Sequence, residues 1–344
     1  MSDPHAVNDT GLHDPRQWLE RVGLSERDVP NILAAADLSR RRIAHAREAI
    51  ASLPAPGAAA IALGSLGRHE CSDGSDLDLA WLHDGSAIDT RSTSEHRHAV
   101  VSALREAGFD VPEKTFDGAV AIGALLENIG GERDSNARLT YRALLLTEST
   151  WLLGEERADE LRGRIFSVYR GGVTRGRFMA TLLNDLLRYW RTVCVDYRYK
   201  IEEGSKGWAL RYGKLRHSRK AWHLANLVLH CAARTVAAGD GHDEFLEQRI
   251  NLPPLLKIAE GLGALGDATA CAELWRRQDA FLGIVADPQA RERLEALPPG
   301  DQRCAELDAV KDNASGLDAA AEEVIELLLS REPARGHLLR FGLL

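Results

Sequence analysis

The spacing of apolar and polar residues divides the chain into a short mixed part and a long helical part. Residues 30–53 carry apolar side chains at helical spacing, and residues 58–63 form a wholly apolar run that is typical of a buried strand. Residues 75–82 alternate between apolar and polar positions, which predicts a strand with Asp76 and Asp78 on one face. At about 3.3 Å per residue, we expect these carboxylates about 7 Å apart.

The rest of the mixed part alternates between helical and strand-like patterns. Residues 90–107 predict a helix, and residues 109–111 resemble a short strand that a proline cuts off. Residues 119–129 are apolar enough for another helix, which Gly130 and Gly131 would end. We therefore expect a small sheet with flanking helices in this part.

After residue 133 the pattern becomes that of long helices, and we expect no strand beyond about residue 135. The predicted fold class is α+β, with a small sheet and flanking helices followed by an all-α helical-bundle domain. The predicted units are a disordered tail over 1–15, an α/β domain over 16–130 and a helical substrate or regulatory domain over 131–344. Helices are predicted over 134–153, 155–169, 176–200, 209–237, 244–262, 267–285 and 302–331.

Length and charge restrict the classes of protein that fit. A chain of 344 residues with 44% hydrophobic residues is long enough for two cored domains. Its formal net charge of −8 argues against a dedicated duplex-binding protein, although a local basic groove is compatible with it.

Cysteine usage and the ends of the chain point to a cytoplasmic protein. The five cysteines are scattered without a C-x-x-C spacing, as expected of free thiols in a reducing compartment. Residues 1–14 lack the apolar core of a secretory signal, and no stretch is apolar enough to predict a membrane span. Oligomer formation through the helical half is compatible with the pattern.

Candidate chemistry lies where the first strand ends and the second begins. Gly64 and Ser65 follow the apolar run, so their turn exposes backbone N–H groups and a hydroxyl that suit a phosphate, helped by the dipole of any helix that begins there. Asp76 and Asp78 offer the hard oxygen ligands that Mg²⁺ takes together with substrate phosphates. A phosphate cradle beside metal carboxylates is what phosphoryl or nucleotidyl transfer requires.

These residues resemble the active-site motif of the DNA polymerase β-like nucleotidyltransferase superfamily. The form Gly-Ser-x-Gly-Arg-x-Glu followed by Ser-Asp-x-Asp-Leu is closest to the branch that holds the N-terminal domains of PII uridylyltransferase and glutamine synthetase adenylyltransferase, together with nucleotidyltransferases of unknown substrate. The matching stretches are Gly64-Ser65-Leu66-Gly67-Arg68, Glu70 and Ser75-Asp76-Leu77-Asp78-Leu79.

The resemblance implies a role for each of these positions. Gly64 and Ser65 would contact the nucleotide phosphates, and Asp76 and Asp78 would bind two Mg²⁺ ions. Arg68 would lie near the phosphates or fix the loop through a carboxylate such as Glu70. The implied reaction transfers an NMP from an NTP to a hydroxyl of a protein or small-molecule acceptor.

Two features leave the reading of the site open. The family has a third carboxylate on a later strand, and both Asp110 and Asp117 are candidates, although each also reads as an exposed turn residue. Residues 206–220 hold six Lys or Arg and no acid, which is either a solvated face or a positive wall opposite the aspartates. In the second case Trp208 or Tyr212 would stack on a base.

Two further functions are compatible with the same residues. Without a third carboxylate, the chain would be a nucleotide-sensing regulatory module with weak or no turnover. The basic stretch also suits a transferase that acts on RNA ends, although the negative net charge makes nucleic acid an unlikely partner.

Overall fold

The computed structural model describes residues 13–85, 90–112, 118–171, 179–202, 207–236, 241–301 and 303–343. The protein is mostly helical and contains a small mixed sheet of four strands, which agrees with the predicted α+β class. The predicted tail lies almost entirely outside the described residues.

The strands are β1 (Ala58–Leu63), β2 (Asp78–His83), β3 (Ala119–Ala121) and β4 (Thr150–Leu153). The helices are α1 (Pro30–Ile50), α2 (Gly64–Gly67), α3 (Thr90–Glu106), α4 (Ile122–Leu126), α5 (Asn136–Thr147), α6 (Glu155–Gly171), α7 (Ala180–Glu202), α8 (Trp208–Lys214), α9 (Lys220–Val236), α10 (Gly241–Arg249), α11 (Pro254–Ala264), α12 (Ala272–Ala286), α13 (Pro288–Ala296), α14 (Ala305–Ser330) and α15 (Ala334–His337). A π-helical turn, Leu215–Arg219, joins α8 to α9.

The sheet has the strand order β3-β2-β1-β4. β1 pairs antiparallel with both β2 and β4, and β3 runs parallel to β2 at the outer edge. In the register of β1 with β2, Leu63 pairs with Asp78. The end of the first strand therefore lies directly beside the second predicted carboxylate.

Both faces of the sheet are covered, which explains why β1 is apolar at every position. Ala58, Ala60 and Ala62 belong to a core shared with α1 and α3. Ala59 and Ile61 point to the other face, where α5 and α6 pack. A strand that is buried on both sides reads as a continuous apolar run rather than an alternating one.

Helix α1 belongs to two cores and so ties the sheet to the helical part. Its first half contributes Ile32 to a large core formed with α9, α11, α12 and α14, and its second half contributes Ile50 to the sheet core. The Asp279 carboxylate of α12 accepts hydrogen bonds from the backbone N–H groups of Asn31 and Ile32, at 2.7 and 2.9 Å. This side chain satisfies donors that the start of a helix leaves unpaired.

One expectation about the sheet is wrong, because a strand does occur after residue 135. The predicted helix over 134–153 ends at Thr147, and Thr150–Leu153 then forms β4 on β1. Gly154 follows with φ +75°, and a Cβ there would lie 2.7 Å from the Ala58 carbonyl oxygen. The sheet thus takes its fourth strand from beyond the predicted boundary at residue 130, although the division into domains stays a prediction.

The helix that the apolar stretch at 119–129 suggests is present only in part. Its first residues form β3, and the helix is limited to Ile122–Leu126, because the free edge of β2 offers strand pairing that local pattern does not reveal. Residues 109–111 form no regular strand, yet the Asp110 carbonyl accepts a hydrogen bond from the Leu77 N–H at 2.7 Å.

The long helices are largely where the periodicity predicts them. α1, α3, α6 and α7 match the predicted segments closely, whereas the segment over 244–262 is interrupted before Pro254, and α13 lies in a region with no predicted helix. All five cysteines are free thiols. Among the helices that the structure describes, none combines the length and the apolar character that crossing a bilayer requires.

Candidate active site

The turn after β1 brings the predicted phosphate-binding residues against the second aspartate. Gly64 adopts a left-handed conformation with φ +69°, which glycine tolerates without steric cost. A Cβ at this position would lie 2.3 Å from Asp78 Oδ2, so the carboxylate packs directly on the glycine backbone. The sequence therefore needs glycine here for two reasons, the turn and the close approach of Asp78.

The two predicted metal ligands lie at the start of β2. Asp76 precedes the strand and is exposed, whereas Asp78 is its first residue and is half-buried. The buried Leu77 between them anchors the segment. Within the part of the chain that the structure describes, neither carboxylate accepts a hydrogen bond or forms an ion pair.

The surroundings of Asp78 disfavour its negative charge. Burial, with the neighbouring charge of Asp76 as the next cause, raises the pKa of Asp78 to about 6, while Arg219 and Arg68 act in the opposite direction. A pair of carboxylates with this property is stabilised when a cation binds between them. The donor set, two hard carboxylate oxygens beside a glycine turn, fits Mg²⁺.

Lys214 faces this carboxylate pair from the end of α8. Burial and the nearby Arg291 lower the pKa of Lys214, and Asp76 and Asp78 act against that shift. Its ammonium group is close enough to interact electrostatically with both aspartates, but it makes no ion pair with either or with any other described residue. The site thus presents positive and negative groups that face each other without contact.

Arg291 of α13 closes the edge of the site next to the loop before β2. Its guanidinium donates a hydrogen bond to Ser72 Oγ at 3.0 Å and forms an ion pair with Glu295 at 2.9 Å. A Cβ on Gly74 would lie 2.9 Å from Arg291 Nε, so the side chain lies across the loop. The sequence gives no local signal for this residue, because more than 200 residues separate it from the loop.

Beneath the loop lies a buried group of four charged residues, which we call the paired cluster: Arg68, Glu70, Glu148 and Arg219. Arg68 contacts Glu70 at 3.1 Å and Glu148 at 2.8 Å, and Arg219 donates to both oxygens of Glu148 at 2.9 Å. Glu148 is fully buried. Arg68 thus contacts Glu70, the carboxylate that the sequence suggested for it, and also Glu148.

The paired cluster also explains the second glycine of the motif. A Cβ on Gly67 would lie 2.0 Å from the backbone oxygen of Glu148. The loop therefore packs at Gly67 directly against the backbone of Glu148, just before β4. Sequence reasoning missed Glu148, although an acid at the end of the apolar run Ala143-Leu144-Leu145-Leu146 is a signal that a buried charge needs a partner.

Ser65 lies in α2, and the length of that helix limits what the turn can contribute. Ser65 is half-buried, and its carbonyl accepts a hydrogen bond from the Glu70 N–H at 2.9 Å. α2 is one turn of four residues. Because so few peptide dipoles align, the expected contribution of a helix N-terminus to phosphate binding is small.

The two candidates for a third carboxylate have different outcomes. Asp110 is exposed. Its carbonyl accepts a hydrogen bond from the N–H of Leu77, which is the residue between Asp76 and Asp78 in the chain. Among the described side chains, no three His, Cys, Asp or Glu residues are grouped so that they could hold a metal ion. Asp117 lies outside the described residues.

Only some of the basic residues in the stretch 206–220 lie near the aspartates. Lys214 and Arg219 lie on the side of the site, whereas Arg216 and Lys220 both pair with Asp318 of α14. Lys206 lies outside the described residues.

The aromatic part of that expectation is wrong for Trp208. This side chain is buried, and its indole N–H donates to the Pro298 carbonyl at 2.8 Å, so it is not free to stack on a base. Tyr212 is half-buried, with its ring 6.4 Å from that of Tyr197.

Comparison with known proteins adds no family to this description. No family model matches the chain, and no curated protein matches it. The chemistry of the site therefore follows from Asp76, Asp78, Lys214 and the loop that holds them.

Proposed function

We propose that this protein is a Mg²⁺-dependent nucleotidyltransferase that moves an NMP from an NTP to a hydroxyl of a protein or small molecule. One observation carries the proposal: the carboxylates of Asp76 and Asp78 interact electrostatically with the ammonium of Lys214, yet none of the three forms an ion pair or a hydrogen bond with a described residue. A ligand that is positive on one side and negative on the other satisfies both, and a magnesium–triphosphate complex has this distribution of charge.

Asp76 and Asp78 would hold the metal, which would supply charge neutralisation for the phosphates and activation of the acceptor oxygen. Lys214 binds the polyphosphate as a point charge from the opposite wall. Arg68 and Glu148 of the paired cluster are buried, and their ion pair keeps the loop of Gly64 and Ser65 in place.

The test is label transfer from α-³²P-labelled NTPs, one base at a time, in a lysate that supplies acceptors. We expect Mg²⁺-dependent label on an acceptor with the wild type, and a loss of at least about 100-fold with Asp76→Asn or Asp78→Asn, since these carboxylates would hold the Mg²⁺ that offsets the charge of the transition state. Asp73→Asn is the matched control, because Asp73 is an exposed acid in the same loop. Equal labelling by Asp78→Asn and wild type would sink the proposal.

The same protein preparation separates transfer from binding alone. Titration calorimetry with Mg-ATP and Mg-GTP measures affinity, and a pyrophosphate assay measures turnover. Mg²⁺-dependent binding that Asp78→Asn abolishes, with neither pyrophosphate release nor label transfer, would assign the chain to the nucleotide-sensing alternative. Label that appears on RNA ends would instead identify RNA as the acceptor.

A further inference from the structure

Tyr189 of α7 has a polar group that no described residue uses. The residue is only 4% exposed, and its ring packs edge-on against Trp222 of α9, with centroids 5.0 Å apart and an interplanar angle of 75°. Its hydroxyl makes no hydrogen bond with any described residue. The hydroxyl oxygen is not among the atoms that are sealed from solvent without a partner, so it keeps some exposure to solvent.

The contacts of Trp222 place Tyr189 close to the paired cluster. The Trp222 indole N–H donates to Thr147 Oγ1 at 2.9 Å, directly before Glu148 in the chain. Arg219, three residues before Trp222, bonds Glu148. Tyr189 accordingly interacts electrostatically with Arg219 and Glu148, and also with Asp78.

The protonation state of Tyr189 defines what it can offer. Burial raises the pKa of Tyr189 to about 12, so the hydroxyl keeps its proton at neutral pH and can donate it. The hydroxyl donates to neither Glu148 nor Asp78, the two carboxylates with which Tyr189 interacts electrostatically. The donor is therefore left for a group that enters from the site.

The Tyr189 hydroxyl adds no hydrogen bond to the fold among the described residues. Phenylalanine would pack on Trp222 in the same way. A ligand that accepts its hydrogen bond would give the hydroxyl a role that phenylalanine cannot fill.

We propose that the Tyr189 hydroxyl donates a hydrogen bond to a phosphate oxygen of the nucleotide that lies between Asp78 and Lys214. The proposal rests on the proposed function. An anionic acceptor fits best, because Lys214 has no carboxylate partner among the described residues and Arg219 lies beside the hydroxyl. Tyr189 and Lys214 together give the helical part of the chain a polyphosphate subsite, opposite the carboxylates on the sheet.

The test uses Tyr189→Phe in the full-length protein, with magnesium tripolyphosphate as the probe in titration calorimetry and Mg-ATP as a second ligand. We expect the dissociation constant for tripolyphosphate to rise about tenfold, as for loss of a hydrogen bond to a charged group. The melting temperature of the ligand-free variant should equal or exceed that of the wild type, because no intramolecular bond is removed.

Tyr169→Phe is the matched control. The Tyr169 hydroxyl is also buried, but it donates to Asp185 at 2.6 Å and accepts from Arg142 at 2.9 Å. Its removal should lower the melting temperature and leave the affinity of the folded protein for tripolyphosphate unchanged.

The outcomes separate this proposal from the one on which it rests. Tripolyphosphate binding by Tyr189→Phe that equals wild-type binding overturns the role of Tyr189, while the nucleotidyltransferase proposal stands if Asp78→Asn and Lys214→Met still lose affinity. A wild type that binds neither tripolyphosphate nor Mg-ATP overturns both. A lower melting temperature of ligand-free Tyr189→Phe, with unchanged affinity, assigns the hydroxyl a purely structural role.

Discussion

Two groups of charged residues lie on either side of the same loop. The charges of one group are compensated by partners within the protein, and those of the other group are not. In the paired cluster, Arg68 and Arg219 hold Glu148 by contacts of 2.8 to 2.9 Å, away from solvent. The site aspartates, Asp76 and Asp78, have no such partner among the described residues. Arg68, Glu70 and both aspartates stand in one short stretch of sequence, whereas Glu148 and Arg219 come from distant elements, and the two groups serve different purposes.

The difference separates residues that hold the protein together from residues that await a ligand. Burying a charge is tolerated when a partner of opposite charge and hydrogen bonds compensate it. A charge that stays uncompensated in a partly buried place disfavours folding, and its compensation comes on binding. The paired cluster should therefore affect stability, and the aspartate pair should affect binding.

The largest effect should come from breaking the paired cluster. We expect Glu148→Ala to lower the free energy of unfolding by about 3–5 kcal/mol, because it leaves two buried guanidinium groups without their shared partner. Urea unfolding followed by circular dichroism measures the change. Glu292→Ala removes an exposed acid and should stay within about 0.5 kcal/mol of the wild type. Similar values for the two variants would contradict the structural role of Glu148.

A smaller loss of unfolding free energy should follow when a side chain at Gly67 pushes the loop away from Glu148. Gly67→Ala places a methyl group 2.0 Å from the Glu148 backbone oxygen, so the backbone must move. We expect a loss of about 1–3 kcal/mol in unfolding free energy, as for overpacked positions. Gly163→Ala is the control, because its Cβ would meet nothing within 4 Å inside α6, and it should stabilise by about 0.5–1 kcal/mol. Changes of equal sign at the two glycines would contradict this.

The aspartate pair should give a change of opposite sign. The folded-state pKa of Asp78 is raised to about 6, so its charge destabilises the folded protein above that pH, and protonation relieves the penalty as the pH falls. We expect Asp78→Asn to stabilise the metal-free protein by about 1–2 kcal/mol at pH 8, with little difference at pH 4. Unfolding in EDTA at both pH values measures this. Lower stability of the variant at pH 8 would show that Asp78 has a partner in the fold.

The smallest of these effects should come from Lys257, a buried lysine near Glu148, and should appear in the pH dependence of stability. Lys257 donates to the Thr147 carbonyl at 2.9 Å, and burial lowers its pKa to about 7. The folded state then binds fewer protons than the unfolded state above pH 7, so stability rises with pH. From pH 7 to 8 we expect this lysine to add about 1 kcal/mol to the wild type. Lys257→Met should lack that increment, and parallel pH profiles of the two proteins would refute it.

The parts of the fold that sequence could predict are those fixed by local pattern. The apolar run of β1 and the helical spacing of α1 are visible in the sequence because burial imposes them residue by residue. The adjacency of Gly64 and Asp78 was also predictable, since two strands joined by a turn bring their facing ends together. β4 was not predictable in this way, because Thr150–Leu153 becomes a strand through its pairing with β1.

The same distinction applies to the candidate site. The loop glycines and both aspartates stand in one short stretch, and their chemistry could be inferred from it. Glu148, Tyr189 and Arg291 come from distant elements, so no spacing in the sequence links them to the loop. Trp208 shows the converse, because an aromatic residue in a basic stretch suggested base stacking, whereas the fold buries it against Pro298.

The π-helical turn Leu215–Arg219 determines what a deletion of one residue in this part of the chain would do to the site. In an unbroken α-helix, residues five apart point in directions that differ by about 140°, at about 100° per residue. A wider turn brings Lys214 and Arg219 onto the same side, one facing the aspartates and the other holding Glu148. Deleting one residue from this turn would restore regular winding and rotate Lys214 away by about 100°, with every other residue of the site intact.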